Sequence, residues 1–202
     1  VLKWKEKYDD AYKQLEDSEK ELAKTREAST KDNSEYTQKE EEIKNNNNVL
    51  GLTNVTGSGV IITLKDNSNV TADSLSALDS IDYYLVHDMD LRTIVNELNN
   101  AGAEAISIND IRITANSYIA TVNGSMIRID LQRVSGPYIV KAIGNQTYLS
   151  STLSLKDNGY IDKYKNSGKD VNIETEKNIQ IAKKSTDMST KYLMEVEDKW
   201  FG

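Results

Sequence analysis

The chain has one histidine, His87, and it stands beside two carboxylates in the run His87, Asp88, Met89, Asp90. An imidazole with two carboxylates has the donor chemistry of a divalent-metal site. The run lacks both the i, i+4 histidines of a zinc helix and the spacing of a calcium loop. An aspartate here serves equally well as the cap of a following helix. Asn109 and Arg112 form a second candidate, because a guanidinium beside an amide can grip a carboxylate or phosphate through paired hydrogen bonds. The competing reading is that both satisfy backbone groups at a strand irregularity. With Tyr138, the first residue of a later strand, the candidate ligand or partner surface is His87, Asp88, Asn109, Arg112 and Tyr138. No Gly-x-Ser-x-Gly elbow accompanies the many serines. The absence of cysteine excludes disulfides, thiolate metal sites and thiol nucleophiles. No catalytic residue, metal or cofactor is expected.

The element that must position these residues runs from Tyr83 to Arg112. Tyr83 to Val86 is a short apolar lead-in, and Asp88 or Asp90 is the expected N-cap. Leu91, Ile94, Val95 and Leu98 follow the i, i+3, i+4, i+7 rule of a helix with one buried stripe. Gly102 fits the left-handed position just past its end. A strand then carries Ile106 and Ile108 inward. The next apolar pair, Ile111 and Ile113, is out of phase with them, so a bulge is expected at Asn109–Asp110.

On either side lie further strands and helices. Val55 to Lys65 has apolar residues on both faces and reads as a central strand. Its Gly57-x-Gly59 precedes the strand, whereas a phosphate cradle needs glycines after a strand and opening a helix, so a bulge or close backbone approach is expected. Residues 66–82 read as a polar, acidic loop. Asn123–Gly124 signals a two-residue hairpin turn, which would pair Val122 with Ser125, Ala120 with Ile127 and Tyr118 with Ile129. Gly136–Pro137 breaks the chain before a strand at Tyr138 to Ile143. Helices follow around Leu149 and Leu153 and at Tyr160 to Lys165. Val171 to Ile173 and Ile179 to Ile181 read as two short strands. The tail, 183–202, holds Tyr192, Leu193 and Val196 and is expected to dock on the body or trail from it. Without the hairpin insert the order is βαββαβ, so the expected fold is α+β with a ferredoxin-like core.

Residues 1–48 differ in kind. Tyr8, Leu15, Leu22, Tyr36 and Ile43 recur by sevens, with Ser29 in the series, as one seam of a coiled coil. The second seam decays from Trp4 and Ala11 to Asp32 and Lys39, so the first half of the arm is expected to pair and the second to rely on charge pairs such as Glu41 with Lys44. As one helix the arm would reach roughly 65 Å. A homodimer through this helix is the expected assembly. Four asparagines, 45–48, are expected to end it as a hinge. The expected domains are therefore an arm at 1–48, an α/β domain at 49–182 and the tail.

Composition bounds the partners. An apolar share of 38% is low, and most of the apolar material follows Val49. A net charge of −7 argues against nucleic acid, whose binding needs clustered Lys and Arg. No apolar run is long enough to span a bilayer. Because the chain begins with Val1 and not Met, the sequence is expected to start inside a longer protein.

Three runs, GSGVIITLKD, LVHDMDLRTIVNELNNAGAEAISINDIRI and GPYIVKAIGN, resemble the bacterial family of unknown function typified by the YlxW and YlxX proteins. The resemblance covers residues 49–182, and AGAEAISIN is its most specific part. It implies a single-pass membrane protein with an extracytoplasmic coiled coil and domain. Division or envelope proteins would be its partners, and no enzymatic activity is implied. Family members usually read Asn-Gly-x-Arg where this chain has Asn109 to Arg112. The alternative function is a small-ligand sensor or hydrolase with a pocket near His87, Asn109 and Arg112.

Overall fold

A computed structural model describes residues 2–30, 34–67, 69, 70, 81–122, 126–155, 159–166, 168–185, 192 and 193. The chain divides into two compact units, Val1–Asn46 and Asn47–Gly202. The first consists of helix α1 (Leu2–Thr30) and most of α2 (Ser34–Val49). Of the predicted seam, Leu15, Leu22, Tyr36 and Ile43 are each about half exposed, and the side chains of Tyr8 and Ser29 lie outside the described ones. An i, i+4 ion pair, Glu16 with Lys20 at 2.9 Å, stabilises α1. No described helix is long and apolar enough to cross a membrane.

The four asparagines do not interrupt the arm, contrary to expectation: α2 runs through all of them to Val49. Each costs up to about 0.7 kcal/mol relative to alanine in a helix, and tertiary contacts offset this. Gly51, at φ +75°, stops the helix. Its N–H donates to the Asn48 carbonyl at 3.1 Å and the Leu52 N–H to that of Asn47 at 2.9 Å, the paired bonds of a Schellman cap. The Asn48 side chain also accepts from the Thr53 hydroxyl.

The body is α+β, built of antiparallel sheets with helices. Its larger sheet has the order β3-β2-β7-β1-β8, from β1 (Val55–Lys65), β2 (Ala105–Ile108), β3 (Ile111–Ile113), β7 (Tyr138–Ile143) and β8 (Asp170–Ile181). Helices α3 (Asp88–Asn100), α4 (Gln146–Leu153) and α5 (Tyr160–Asn166) bury Leu91, Ile94, Leu98, Leu149, Leu153 and Ile161 with Val60, Ile62 and Leu64 of β1 in one core. The opposite sheet face carries a smaller cluster of Ala105, Ile143, Ile179 and Ile181. A separate three-stranded sheet, β4 (Ile119–Val122), β5 (Met126–Ile129) and β6 (Gln132–Val134), adds Ile119, Ile127, Ile129 and Val134 to the main core. It leans on α3, where Arg92 Nη1 donates to the Ile119 carbonyl at 3.1 Å. The insert therefore packs on the helical side of the sheet.

Three local expectations are corrected. Asn109 and Asp110 have φ of +46° and +64°, and Ile108 pairs with Ile111. The parity break is therefore a two-residue hairpin turn with both central residues left-handed, and not a bulge. The β4–β5 register differs by one residue from the expected one, pairing Val122 with Met126, Thr121 with Ile127 and Ile119 with Ile129. A one-residue shift exchanges the two faces, and this register buries Ile119 together with Ile127 and Ile129. The tip, 123–125, lies outside the described residues. The two short strands expected at 171–173 and 179–181 are one strand, β8, whose pairing shifts opposite Gly57 and Gly59. Gly59 is the close approach its sequence suggested: a Cβ there would lie 1.8 Å from the Ala142 carbonyl oxygen.

The start of the tail is bonded to the body. The Lys183 N–H donates to Asn54 Oδ1 at 2.7 Å and the Lys184 N–H to the Gly51 carbonyl at 2.8 Å. Tyr192 and Leu193 are 89% and 76% exposed, and Val196 lies outside the described residues.

Candidate functional site

Helix α3 is capped by His87, not by Asp88 or Asp90. His87 is the N-cap, and Asp90, three residues on, accepts from the His87 backbone N–H at 2.8 Å. This reach-back satisfies a donor that the helix leaves unpaired. Asp90 also receives Lys169 Nζ at 2.6 Å, with the lysine side chain 7% exposed. The ammonium lies 5.3 Å from the Tyr164 ring centre, and the Tyr160 hydroxyl donates to the Asp90 carbonyl at 3.1 Å. Asp88 takes Arg92 at 2.7 Å and the Thr121 hydroxyl at 2.9 Å. Burial alone would raise its pKa, but the Thr121 hydroxyl and the Arg92 charge outweigh this and hold the carboxyl below its ordinary value. Both carboxylates are thus engaged with cations and hydroxyl or amide donors. Among the described residues no three His, Asp or Glu side chains gather as a metal site.

The second candidate pair is split between two surroundings. Asn109 clamps the β6–β7 connection: its Oδ1 accepts from the Ile139 N–H at 2.7 Å, and its Nδ2 donates to the Ser135 and Pro137 carbonyls at 3.2 and 3.4 Å. Asp110 ion-pairs with Lys141 at 2.6 Å. Arg112, next along the hairpin, points to the sheet face opposite the helices and is 3% exposed. Its Nη2 donates to the Asn48 carbonyl at 3.2 Å, while Nη1 is buried without a partner. Burial lowers the guanidinium pKa. Directly across the β2–β3 ladder sits Ser107, whose buried hydroxyl also lacks a partner. Ser107 was not foreseen; its only sequence signal is one hydroxyl within the apolar strand AISI. Tyr138 lies in the main core, and burial together with the Asp66 charge raises its phenol pKa.

Lys184 and Asp130 form a further buried pair, at 3.1 Å and with side chains 4% and 10% exposed. Lys184 also donates to the hydroxyls of Ser117 at 2.7 Å and Thr114 at 2.8 Å. Asp130 accepts from the Tyr118 N–H at 3.1 Å. No motif marks these residues, because the contact joins positions distant in the chain.

Of the open grooves, one of about 620 Å³ lies between α3 and the β3–β4 connection, lined by Arg92, Asn96, Asn99, Glu104, Ile113 and Tyr118 among others. A second, of about 630 Å³, is lined by Asp66, Pro137 and Lys169. A third, of about 490 Å³, lies beside Asp110 and Lys141. None of these three is lined by His87, Asp88, Asn109, Arg112 or Tyr138.

Comparison with known proteins gives a consistent assignment. A family of bacterial proteins of unknown function, DUF881, matches residues 42–194. The UPF0749 protein YlxW of Bacillus subtilis is 32% identical over 151 residues, covering 75% of this chain and 62% of the relative. The UPF0749 protein YlxX of the same organism is 39% identical over 75 residues, 37% of this chain and 29% of its own. The chain thus spans less than two thirds of these relatives. The crystal structure of an uncharacterized conserved protein from Mycobacterium tuberculosis shares the fold with a TM-score of 0.60 at 24% identity, over 77% of this chain and 99% of that one. The chain belongs to the DUF881 family of bacterial proteins of unknown function.

Proposed function

We propose that the body is a non-catalytic interaction module of a membrane-anchored protein, held outside the cytoplasm and serving cell division or envelope organisation. The observation that carries this reading is the commitment of the reactive side chains. Asp88 and Asp90 each hold a cation, and Asn109 is spent on backbone groups. These groups are engaged in architecture and are not poised for proton transfer or metal binding. The membrane and division roles rest on the resemblance set out above.

Two finer statements belong to the same proposal. The core is ferredoxin-like: with β3 set aside, the antiparallel order β2-β7-β1-β8 supports it. The arm pairs with a second copy, supported by the half-exposed seam of Leu15, Leu22, Tyr36 and Ile43, and a shared membrane would strengthen the pairing. In-cell crosslinking of the full-length protein, followed by mass spectrometry, tests the module. Recovery of envelope or division proteins is expected, and recovery of none beyond an unrelated membrane control would overturn it.

The orphaned Arg112 Nη1 and Ser107 Oγ favour one second reading, a sensor for a small acid. His87, Asn109 and Arg112 do not line a common groove among those described, which weighs against the hydrolase form. A thermal-shift screen with metals, nucleotides and wall fragments that leaves the melting point unmoved removes this reading.

A further inference from the structure

The outer face of the β4-β5-β6 sheet carries a charge arrangement that the body does not balance. In the ladder, Arg128 of β5 stands directly opposite Arg133 of β6, with Ala120 of β4 on its other side. Like charges in directly opposed strand positions repel. Elsewhere in the body Arg92, Lys141, Lys169 and Lys184 each meet an aspartate. Among the described residues neither Arg128 nor Arg133 forms an ion pair. Arg128 stacks its guanidinium 5.3 Å from the centre of the Tyr118 ring, and its Nε is buried with no acceptor. The acid at the end of the same strand, Asp130, is taken up by Lys184 and the Tyr118 N–H. Met126, exposed, extends the face along β5.

We infer that this face, centred on Arg128 and Arg133 with Tyr118 beside them, is a docking surface for an acidic peptide segment of a partner protein. A carboxylate set between the two guanidiniums would turn a repulsive pair into two charge-assisted attachments and supply acceptors for their unpartnered donors. The Tyr118 ring holds one guanidinium in place beforehand, which lowers the ordering cost of binding. Charge complementarity also selects the class of partner. With a net charge of −7, the remaining surface repels an extended polyanion or an anionic bilayer, whereas a short acidic segment needs only this patch.

The inference rests on the interaction-module reading and is tested separately from it. Calorimetry on the whole chain at low ionic strength, with capped hexaglutamate as the probe, is expected to show binding that weakens with added salt, and capped hexaglutamine is expected to show none. Arg133→Glu, at an exposed position, is expected to weaken hexaglutamate binding at least tenfold without lowering the melting temperature, and Arg128→Gln to weaken it as well. Backbone amide shifts on titration are expected at Ala120, Arg128 and Arg133. Absence of binding, equal binding by Arg133→Glu, or shifts confined to other residues would overturn the inference. So would tighter binding of tripolyphosphate or of phosphatidylglycerol vesicles than of hexaglutamate. Such a failure leaves the crosslinking result untouched, whereas failure to crosslink any partner would overturn the module reading itself.

Discussion

Arg112 of β3 donates a hydrogen bond to the carbonyl of Asn48, 3.2 Å away, so a buried guanidinium on the edge strand caps the last turn of α2. A cation at a helix C-terminus is favoured by the helix dipole, and here it also offsets the low helix propensity of the asparagines. The same side chain leaves Nη1 unsatisfied, so stability and charge burial oppose each other at one residue. Arg112→Ala should cost about 2–3 kcal/mol through lost packing and capping. Arg112→Met, which fills the space without the charge, should fall within about 1 kcal/mol of the parent protein. Urea denaturation of both variants checks the contrast, and equal losses would show that the charge itself is required.

Gly59 and Gly102 separate two reasons for a glycine. A Cβ on Gly59 would fall 1.8 Å from the Ala142 carbonyl oxygen, between strands that cannot part without breaking the ladder. Gly102 has φ +83° and open space around it. Gly59→Ala should therefore cost more than about 3 kcal/mol or prevent folding, while Gly102→Ala should cost about 1 kcal/mol. Thermal melts of the two variants rank them.

Lys184 and Asp130 hold the start of the tail to the insert sheet within the protein interior. Removing one partner strands a buried charge, so Lys184→Met should lose about 3–5 kcal/mol. The double variant with Asp130→Asn should recover part of that loss. A double-mutant cycle measured by urea denaturation gives the coupling, and strict additivity would show that the pair contributes nothing of its own.

Asp88 gives a pH signature. Its folded pKa is depressed, so its contribution is fully present above the unfolded value of an aspartate and is lost as pH falls through the folded pKa. Asp88→Asn should flatten the acid limb of the stability curve and cost about 1 kcal/mol at neutral pH. Tyr160 and Tyr164 act in the opposite direction. Burial, with Asp90 nearby, raises both phenols, so their contribution is complete below the ordinary tyrosine value and declines as pH rises above it. Melting temperatures taken from acid to alkaline pH follow both limbs.

The proposed pairing of the arm has its own check. Leu15→Glu with Leu22→Glu places charge on the seam and should convert a dimer to a monomer in light-scattering measurements. A parent protein that is already monomeric at every concentration would remove the arm's pairing role.

Helix α3 was legible from sequence because its determinants are local: the apolar stripe repeats at helical spacing, and Gly102 supplies the left-handed stop just past the C-cap, Ala101. The central character of β1 and the close approach at Gly59 were legible for the same reason, since alternation and a missing side chain are written in neighbouring residues. Tertiary structure decided the rest. The asparagine run stays helical to its end, where Arg112 and Thr53 meet Asn48 from distant or later segments. Asn109 and Asp110 adopt left-handed angles within a turn clamped to Ile139, 30 residues further along the chain, a partner that no local pattern names. Asp130, Lys184, Arg128 and Arg133 acquire their roles from contacts across strands or across the whole body. Local periodicity records which face a residue turns to the core, and the partner it meets there is set by how distant segments pack.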